Sequence, residues 1–225
     1  MHLNLEGIHD NATTGNKENF YPCLELEREE WFFVGDVPMK IVYLEDYESI
    51  KEKFLSRFVR SWEEFQISSK DWIAEMGERG WPVDERWYDQ AFLWDKMDPK
   101  YSFTSFNEAL NFLREKSGSV LFMTETDILD NARKRNVRYI ARADAVELAD
   151  RIEEEWYEMY RLAEQEMYNP DALPCDIYVF DQSMDWCVVF THETSDIESE
   201  LDDPMKAAES RCCIICDRKK IRRFN

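Results

Sequence analysis

His192 and Glu193 are the neighbouring residues best suited by type to acid–base chemistry or metal binding, because imidazole and carboxylate groups transfer protons and ligate cations. They end the β-prone run Trp186–Thr191, which follows the run Ile177–Phe180 across a polar turn. Adjacent residues of a strand point to opposite faces, so alternation places His192 with Phe190 and separates it from Glu193. The pattern therefore predicts a hydrogen-bonded structural histidine, with a catalytic His192 as the alternative.

A catalytic His192 needs a carboxylate that folding brings close to it. Glu125 and Asp127 are the candidates, because they follow the predicted strand Val120–Met123. Alternation turns Cys187 away from His192, which disfavours a thiol nucleophile activated by this histidine. The enzyme alternative is therefore a small hydrolase or transferase that uses His192 with a nearby carboxylate.

Cysteine spacing near the C-terminal end offers a metal or redox alternative. Cys213 and Cys216 form one Cys-x-x-Cys pair, which is half of a zinc site, and the sequence has no second pair. Arg211 and Arg218 would lower the pKa of a redox thiol here. We interpret the cysteines as incidental members of a tail or last strand. No glycine-rich phosphate loop occurs, and no cofactor is expected.

Residues 81–106 interleave aromatic and acidic side chains. Core packing is one explanation, and a surface for a basic partner is the other, because Trp and Tyr are effective interface anchors. The candidate binding residues are Trp81, Asp84, Glu85, Trp87, Tyr88, Asp89, Trp94 and Asp95.

The net charge of −20, from 48 acidic and 28 basic residues, restricts the classes of partner. Such a charge repels nucleic acid and anionic membranes and favours basic proteins. No stretch approaches the ~18 apolar residues of a membrane span, and Met1–Gly7 lacks the features of a signal peptide. We therefore expect a cytoplasmic protein with reduced thiols and no membrane partner.

Hydrophobic periodicity predicts an α+β fold, a single domain with a mostly antiparallel sheet and a C-terminal hairpin at about 175–193. Several amphipathic helices pack on it, and the long acidic helix covers Trp186, Val188 and Phe190 of the hairpin. The predicted strands are 31–34, 40–44, 120–123, 137–140, 177–180 and 186–191. The predicted helices are 47–65, about 69–78, 85–96, 106–116 and 144–168, with one or two helical turns at 127–135.

Composition divides the chain into three parts. Residues 1–20 are a polar, flexible lead-in, 21–195 are the α+β domain, and 196–225 are an acidic linker and a basic, cysteine-containing tail.

Charge, aromatic content and the lack of a complete catalytic set favour an acidic, bacterial-type interaction protein over an enzyme. The leading hypothesis is that it binds and neutralises a basic protein, as an immunity protein does with a nuclease toxin. A third hypothesis is an acidic nucleic-acid mimic or anti-defence protein, which would carry carboxylates spaced regularly along one face.

Overall fold

The computed structural model describes residues 29–34, 37–45, 47–98, 103–125, 137–163, 173, 176–195 and 204–217. Their strands form one antiparallel sheet in the order β1-β2-β5-β4-β6-β7-β8-β3. The strands are β1 (Glu29–Val34), β2 (Val37–Tyr43), β3 (Phe103–Ser105), β4 (Ser119–Glu125), β5 (Val137–Asp144), β6 (Asp176–Phe180), β7 (Trp186–Thr194) and β8 (Arg211–Asp217). The helices are α1 (Tyr47–Phe58), α2 (Trp62–Ser68), α3 (Lys70–Glu78), α4 (Glu85–Gln90), α5 (Phe106–Arg114), α6 (Ala145–Ala163) and α7 (Pro204–Glu209), with a 3-10 turn at Trp94–Lys96.

The β6–β7 hairpin lies near the centre of the sheet, between β4 and β8. Phe180 faces Cys187 across the turn. The turn closes because the carboxylate of Asp181 accepts hydrogen bonds from the backbone N–H groups of Asp185 and Trp186. The predicted α+β fold, antiparallel sheet and C-terminal hairpin are therefore confirmed.

The predicted boundary at residue 195 requires correction, because β8 lies inside the sheet between β7 and β3. Arg211 at the start of β8 is buried, and its guanidinium lies 3.7 Å from the ring centroid of Trp156. Its Nε donates a hydrogen bond to the carbonyl of Thr191. The cysteine-containing segment Arg211–Asp217 thus contributes a strand of the sheet, and the cation–π contact of Arg211 joins its start to the core. Residues 1–20, 196–203 and 218–225 lie outside the described residues.

Each face of the sheet packs on a different set of helices. The α5–α6 face buries one apolar cluster under α5, α6 and α7. The α1 face buries a second cluster under α1 and the chain that follows it. Because both faces are covered, all five residues of β6 are buried instead of alternating with exposed ones.

The hairpin contacts α5 more closely than the long helix α6. The ring of Phe190 meets that of Phe106 of α5 edge-on, with centroids 6.0 Å apart, and Phe106 then packs on Trp156 of α6. The expected packing of the hairpin directly against the long helix is corrected, because α5 lies over β7 and β8, whereas α6 lies beside α5 over β1 and β5.

Two predicted helices are each interrupted. The predicted helix 47–65 ends at Phe58, where Val59 pairs with Met97 in an isolated antiparallel bridge. Ser61 then begins α2 as the N-cap of a capping box with Glu64. The predicted helix 85–96 ends at Gln90 and continues only as the 3-10 turn. Both breaks leave short helices on the α1 face.

Two predicted helix starts are confirmed. Ser105 and Glu108 form the expected capping box of α5. Asp144 begins α6, since its Oδ1 accepts hydrogen bonds from the N–H groups of Val146 and Glu147. The helical turn expected at 127–135 lies outside the described residues.

Candidate functional site

A cleft of about 280 Å³ lies on the α1 face of the sheet. Most of its lining comes from residues 59–98, which we call the cleft segment. Its short helices α2, α3 and α4 do not form a closed layer over β8 and β3. Ile214 of β8 and Phe103 of β3 contribute the sheet side of the cleft. An edge strand and three short helices therefore position this site.

Five aromatic side chains line the cleft: Phe65, Trp72, Trp87, Trp94 and Phe103. Trp72 and Trp87 have ring centroids 5.4 Å apart, and Phe65 lies 5.8 Å from Trp87 and 6.2 Å from Trp72. Phe103 is 64% exposed and Trp72 is 39% exposed, whereas Phe65 is buried, so the aromatic lining is open to solvent at Phe103 and Trp72. Exposed aromatic groups of this kind mark interaction sites.

Charged groups complete the lining with Arg60, Asp95 and Asp98. Arg60 donates hydrogen bonds to the carbonyls of Lys96 and Asp95 and to the hydroxyls of Ser68 and Ser69. Burial is the main reason that the pKa of Arg60 is lowered, with Asp98 opposing the shift. The Arg60 side chain thus joins the end of α2 to the 3-10 turn.

Three of the predicted binding residues line the cleft: Trp87, Trp94 and Asp95. Tyr88 lies beside it, where its hydroxyl donates to the carbonyl of Arg60 and burial raises its pKa. Asp84 instead caps α4, accepting from the N–H groups of Arg86 and Trp87.

The remaining predicted binding residues lie outside the cleft lining. Trp81, which is 69% exposed, precedes α4, and Glu85 and Asp89 are exposed on α4. They contribute an acidic and aromatic surface, but they do not line the cleft.

Eight residues that line the cleft were not among the predicted binding residues: Arg60, Phe65, Ser69, Trp72, Met97, Asp98, Phe103 and Ile214. Phe65 and Trp72 follow the helical spacing that indicates core, and no sequence signal separates a core stripe from a cleft wall. Ile214 was placed in a tail, so its contribution depends on the register of β8.

A second constellation joins His192 to Asp176 at the open end of the hairpin. The His192 Nδ1 lies 2.9 Å from Asp176 Oδ2, and the His192 backbone N–H donates to Asp176 Oδ1. The Asp176 side chain is only 6% exposed, whereas the imidazole is 35% exposed. A buried carboxylate thus fixes one ring nitrogen of a half-exposed histidine.

The expected separation of His192 from Glu193 is wrong, because the histidine Nε2 lies 3.4 Å from Glu193 Oε1. The pairing of β7 with β8 is irregular between Phe190 and Thr194, which interrupts strict alternation. The imidazole packs against Phe92 and Trp94, with centroid distances of 4.7 and 5.9 Å. His192 is therefore a neighbour of the cleft aromatics.

The carboxylate partner of His192 is Asp176, which the sequence did not suggest. Glu125 faces Asp176 in the β4–β6 register, and its side chain lies outside the described residues, as does Asp127. Burial is the main cause of a raised pKa at Cys187, and burial and Glu193 raise the pKa of Cys212. Neither thiol is an activated nucleophile.

The Cys213–Cys216 pair does not match a metal or redox site. Cys213 belongs to the α5–α6 face and Cys216 to the α1 face, because residues three apart on a strand point to opposite sides. Burial raises the pKa of Cys213 to about 12 even with Arg211 nearby. No cluster of three or more potential metal ligands occurs among the described residues.

Within the described parts of the chain, no helix has both the length and the apolar character needed to cross a membrane. Comparison with protein-family models, curated proteins and solved structures finds no match to this chain.

Proposed function

We propose that this chain is an acidic interaction protein that binds and neutralises a basic protein partner. The observation that supports this most directly is the solvent-open aromatic cleft bordered by Asp95 and Asp98. An immunity protein that blocks a nuclease toxin in the cytoplasm of a bacterium is the concrete form of the proposal. The free thiols of the described cysteines are compatible with that reducing compartment.

Charge in the cleft segment supports a basic partner. Residues 59–98 contain ten acidic and five basic residues. Most of these bases have internal acceptors: Arg79 pairs with Glu75, Arg86 pairs with Asp84, and buried Lys96 donates to the carbonyl of Tyr88. The segment therefore presents net negative charge, which speeds encounter with a positive surface.

A capture experiment with matched charge variants tests this proposal. The wild-type protein is immobilised, lysate of its source cells is passed over it at low and high salt, and retained proteins are identified by mass spectrometry. One double variant carries Asp71→Asn and Asp89→Asn in the cleft segment, and the control carries Glu154→Gln and Glu209→Gln on α6 and α7. These four residues are exposed, and the net charge of both variants is equal.

We expect a basic protein to be retained at low salt by the wild type and the control, and more weakly by the cleft-segment variant. Retention of no basic protein at any salt concentration contradicts the proposal. Equal loss in both variants also contradicts it, because binding then depends on total charge alone.

An enzyme is the second candidate, favoured by the Asp176–His192 contact. A carboxylate on Nδ1 orients an imidazole so that Nε2 can transfer a proton, which suits a hydrolase or transferase. His192→Gln is then expected to abolish turnover of ester or phosphoester substrates, with Met159→Ala as the control. Equal activity of both variants would exclude this candidate.

The nucleic-acid mimic has less support from α6, its most acidic helix. Asp150 and Glu153 both pair with Arg114, and Glu155 pairs with Arg151. The pairs of Arg114 join α5 to α6, and the Arg151–Glu155 pair lies within α6, so these carboxylates do not form an unpaired row.

A further inference from the structure

The shape of the cleft suits a flat, positively charged group. Trp72, Trp87 and Phe65 form a cluster of mutually tilted rings, and Trp94 and Phe103 close other sides. The faces of aromatic rings carry negative electrostatic potential, so several of them around one cavity attract a cation.

The walls already contain this chemistry. The guanidinium carbon of Arg60 lies 4.7 Å from the centroid of Phe65. The ammonium of Lys96 lies 4.8 Å from the centroid of Tyr88. Both cations are held by hydrogen bonds to backbone carbonyls; Arg60 lines the cleft, and Lys96 lies outside its lining. The lining carries two carboxylates, Asp95 and Asp98, against the one guanidinium of Arg60, and this net negative charge makes a cation a better occupant than an anion.

We propose that the cleft binds one arginine side chain of the protein partner. A guanidinium is planar, stacks on aromatic faces and donates to carboxylates, whereas the compact ammonium of lysine is more strongly hydrated. This inference rests on the proposed function, because it names the group of the basic partner that enters the cleft.

A peptide titration tests this inference without the natural partner. Acetyl-Gly-Arg-Gly-amide is titrated into the full chain, and the tryptophan indole N–H signals are followed by NMR. Acetyl-Gly-citrulline-Gly-amide has nearly the same shape as the arginine peptide but no charge. Acetyl-Gly-Lys-Gly-amide has the charge but not the planar guanidinium group. We expect the arginine peptide to bind most tightly and the citrulline peptide to bind at least about fivefold more weakly.

Substitutions then locate the binding site. The double variant Trp72→Ala/Trp87→Ala is expected to weaken arginine binding by about 2- to 30-fold, the range that cation–π contacts give. Asp98→Asn is expected to weaken it less, because it removes one charge at the rim. Met159→Ala and Glu154→Gln on α6 are the matched apolar and charge controls, and neither should change binding. Thermal unfolding of each variant shows whether its fold is retained.

Two results would overturn the inference. One is equal binding of the arginine and citrulline peptides, or binding of neither. The other is full arginine affinity in a folded Trp72→Ala/Trp87→Ala variant, which would place the site elsewhere.

The proposed function fails separately. If a basic protein is captured with equal strength by the wild type and by Trp72→Ala/Trp87→Ala, the arginine site is wrong and the basic partner remains. If the arginine peptide binds in the cleft and no basic protein is captured, the arginine site is supported and the proposed basic partner is wrong.

Discussion

The two faces of the sheet differ in how completely helices cover them. On the α5–α6 face, α5 and the 19-residue α6 bury an apolar cluster that includes Phe106, Leu110 and Ile152. On the α1 face, α1 buries a second apolar cluster with its own Phe54 and Phe58, but the cleft segment adds only short helices. The first face is a closed core, and the second ends in an open aromatic cleft.

This difference indicates which aromatic residues serve stability. A half-exposed tryptophan gains less from burial than a core phenylalanine, since burial contributes about 25 cal/mol per Å² of apolar surface removed from water. The indole N–H of Trp94 is buried and has no acceptor among the described residues. Such a donor costs about 1–3 kcal/mol. The aromatic residues of the cleft are thus expected to contribute less to folding stability than those of the opposite face.

The largest expected effect comes from truncating one aromatic residue on each face. Phe106→Ala removes a fully buried ring of α5 that touches Phe190 and Trp156, and it should lower the free energy of unfolding by about 3–5 kcal/mol. Trp87→Ala, in the cleft, should lower it by about 1–2 kcal/mol, because the ring is half-exposed. Urea unfolding followed by circular dichroism measures both. Equal losses would mean that the cleft is as much a core as the opposite face.

The second expected effect concerns the buried carboxylate beside the cleft. Asp176→Ala removes the acceptor of both the His192 backbone N–H and its ring, and should cost about 1–3 kcal/mol of stability. Glu193→Ala removes the exposed partner of the same ring and should cost less than about 1 kcal/mol. The Nδ1 proton signal of His192 should shift in Asp176→Ala alone. The same shift in both variants would contradict the assignment of Asp176 as the residue that orients the ring.

Local signals in the sequence predicted the sheet and its hairpin better than the cleft. The Ser105–Glu108 capping box identified the start of α5, but the same signature at Ser61–Glu64 was overlooked within a continuous apolar period. Periodicity alone extended α1 through residue 65, whereas the capping box at Ser61 starts a new helix. The capping box at Ser61 is the local signal that marks this break.

Nonlocal pairing explains what the sequence could not give. His192 meets Asp176 across the β6–β7 pair, just beyond the partners Ile177 and Phe190, and it meets Glu193 where the β7–β8 register is irregular. Ile214 joins the cleft because β8 inserts between β7 and β3. The β3 and β8 strands that pair here are about 110 residues apart in the sequence. Short motifs carry no information about either arrangement.

A third prediction tests whether a buried hydroxyl without a hydrogen-bond partner lowers the stability of the α5–α6 face. Thr124 faces Ile177 in the β4–β6 register, and its buried hydroxyl has no partner among the described residues. Thr124→Val keeps the shape and removes the unpaired hydroxyl, so it should stabilise the fold by about 1 kcal/mol. Thr191→Val is the matched control, because the Thr191 hydroxyl donates to the Cys212 carbonyl. Thr191→Val should destabilise the fold by about 1 kcal/mol. Thermal unfolding compares the two variants. A loss of stability in Thr124→Val would contradict the prediction and indicate a bound partner for this hydroxyl.

The smallest expected effect is the pH dependence of the helix start that anchors the α5–α6 face. Hydrogen bonds to the Glu108 carboxylate lower its pKa, first that from the Thr104 hydroxyl and then those from Ser105. A carboxyl with a lower pKa in the folded chain binds fewer protons there than in the unfolded chain. Its stabilising contribution is therefore complete above the unfolded pKa and is lost as pH falls through the folded pKa.

Glu108→Gln should consequently flatten the acid limb of the stability curve, measured by urea unfolding at a series of pH values below neutrality. The amide accepts the same hydrogen bonds without titrating, so the variant separates the charge of Glu108 from its capping geometry. Thr104→Val removes only the largest cause of the shift and should flatten the curve partway. An unchanged acid limb in Glu108→Gln would show that other carboxylates control acid unfolding. The ion pairs of Arg114 with Asp150 and Glu153 between α5 and α6 would then be the next groups to test on this face.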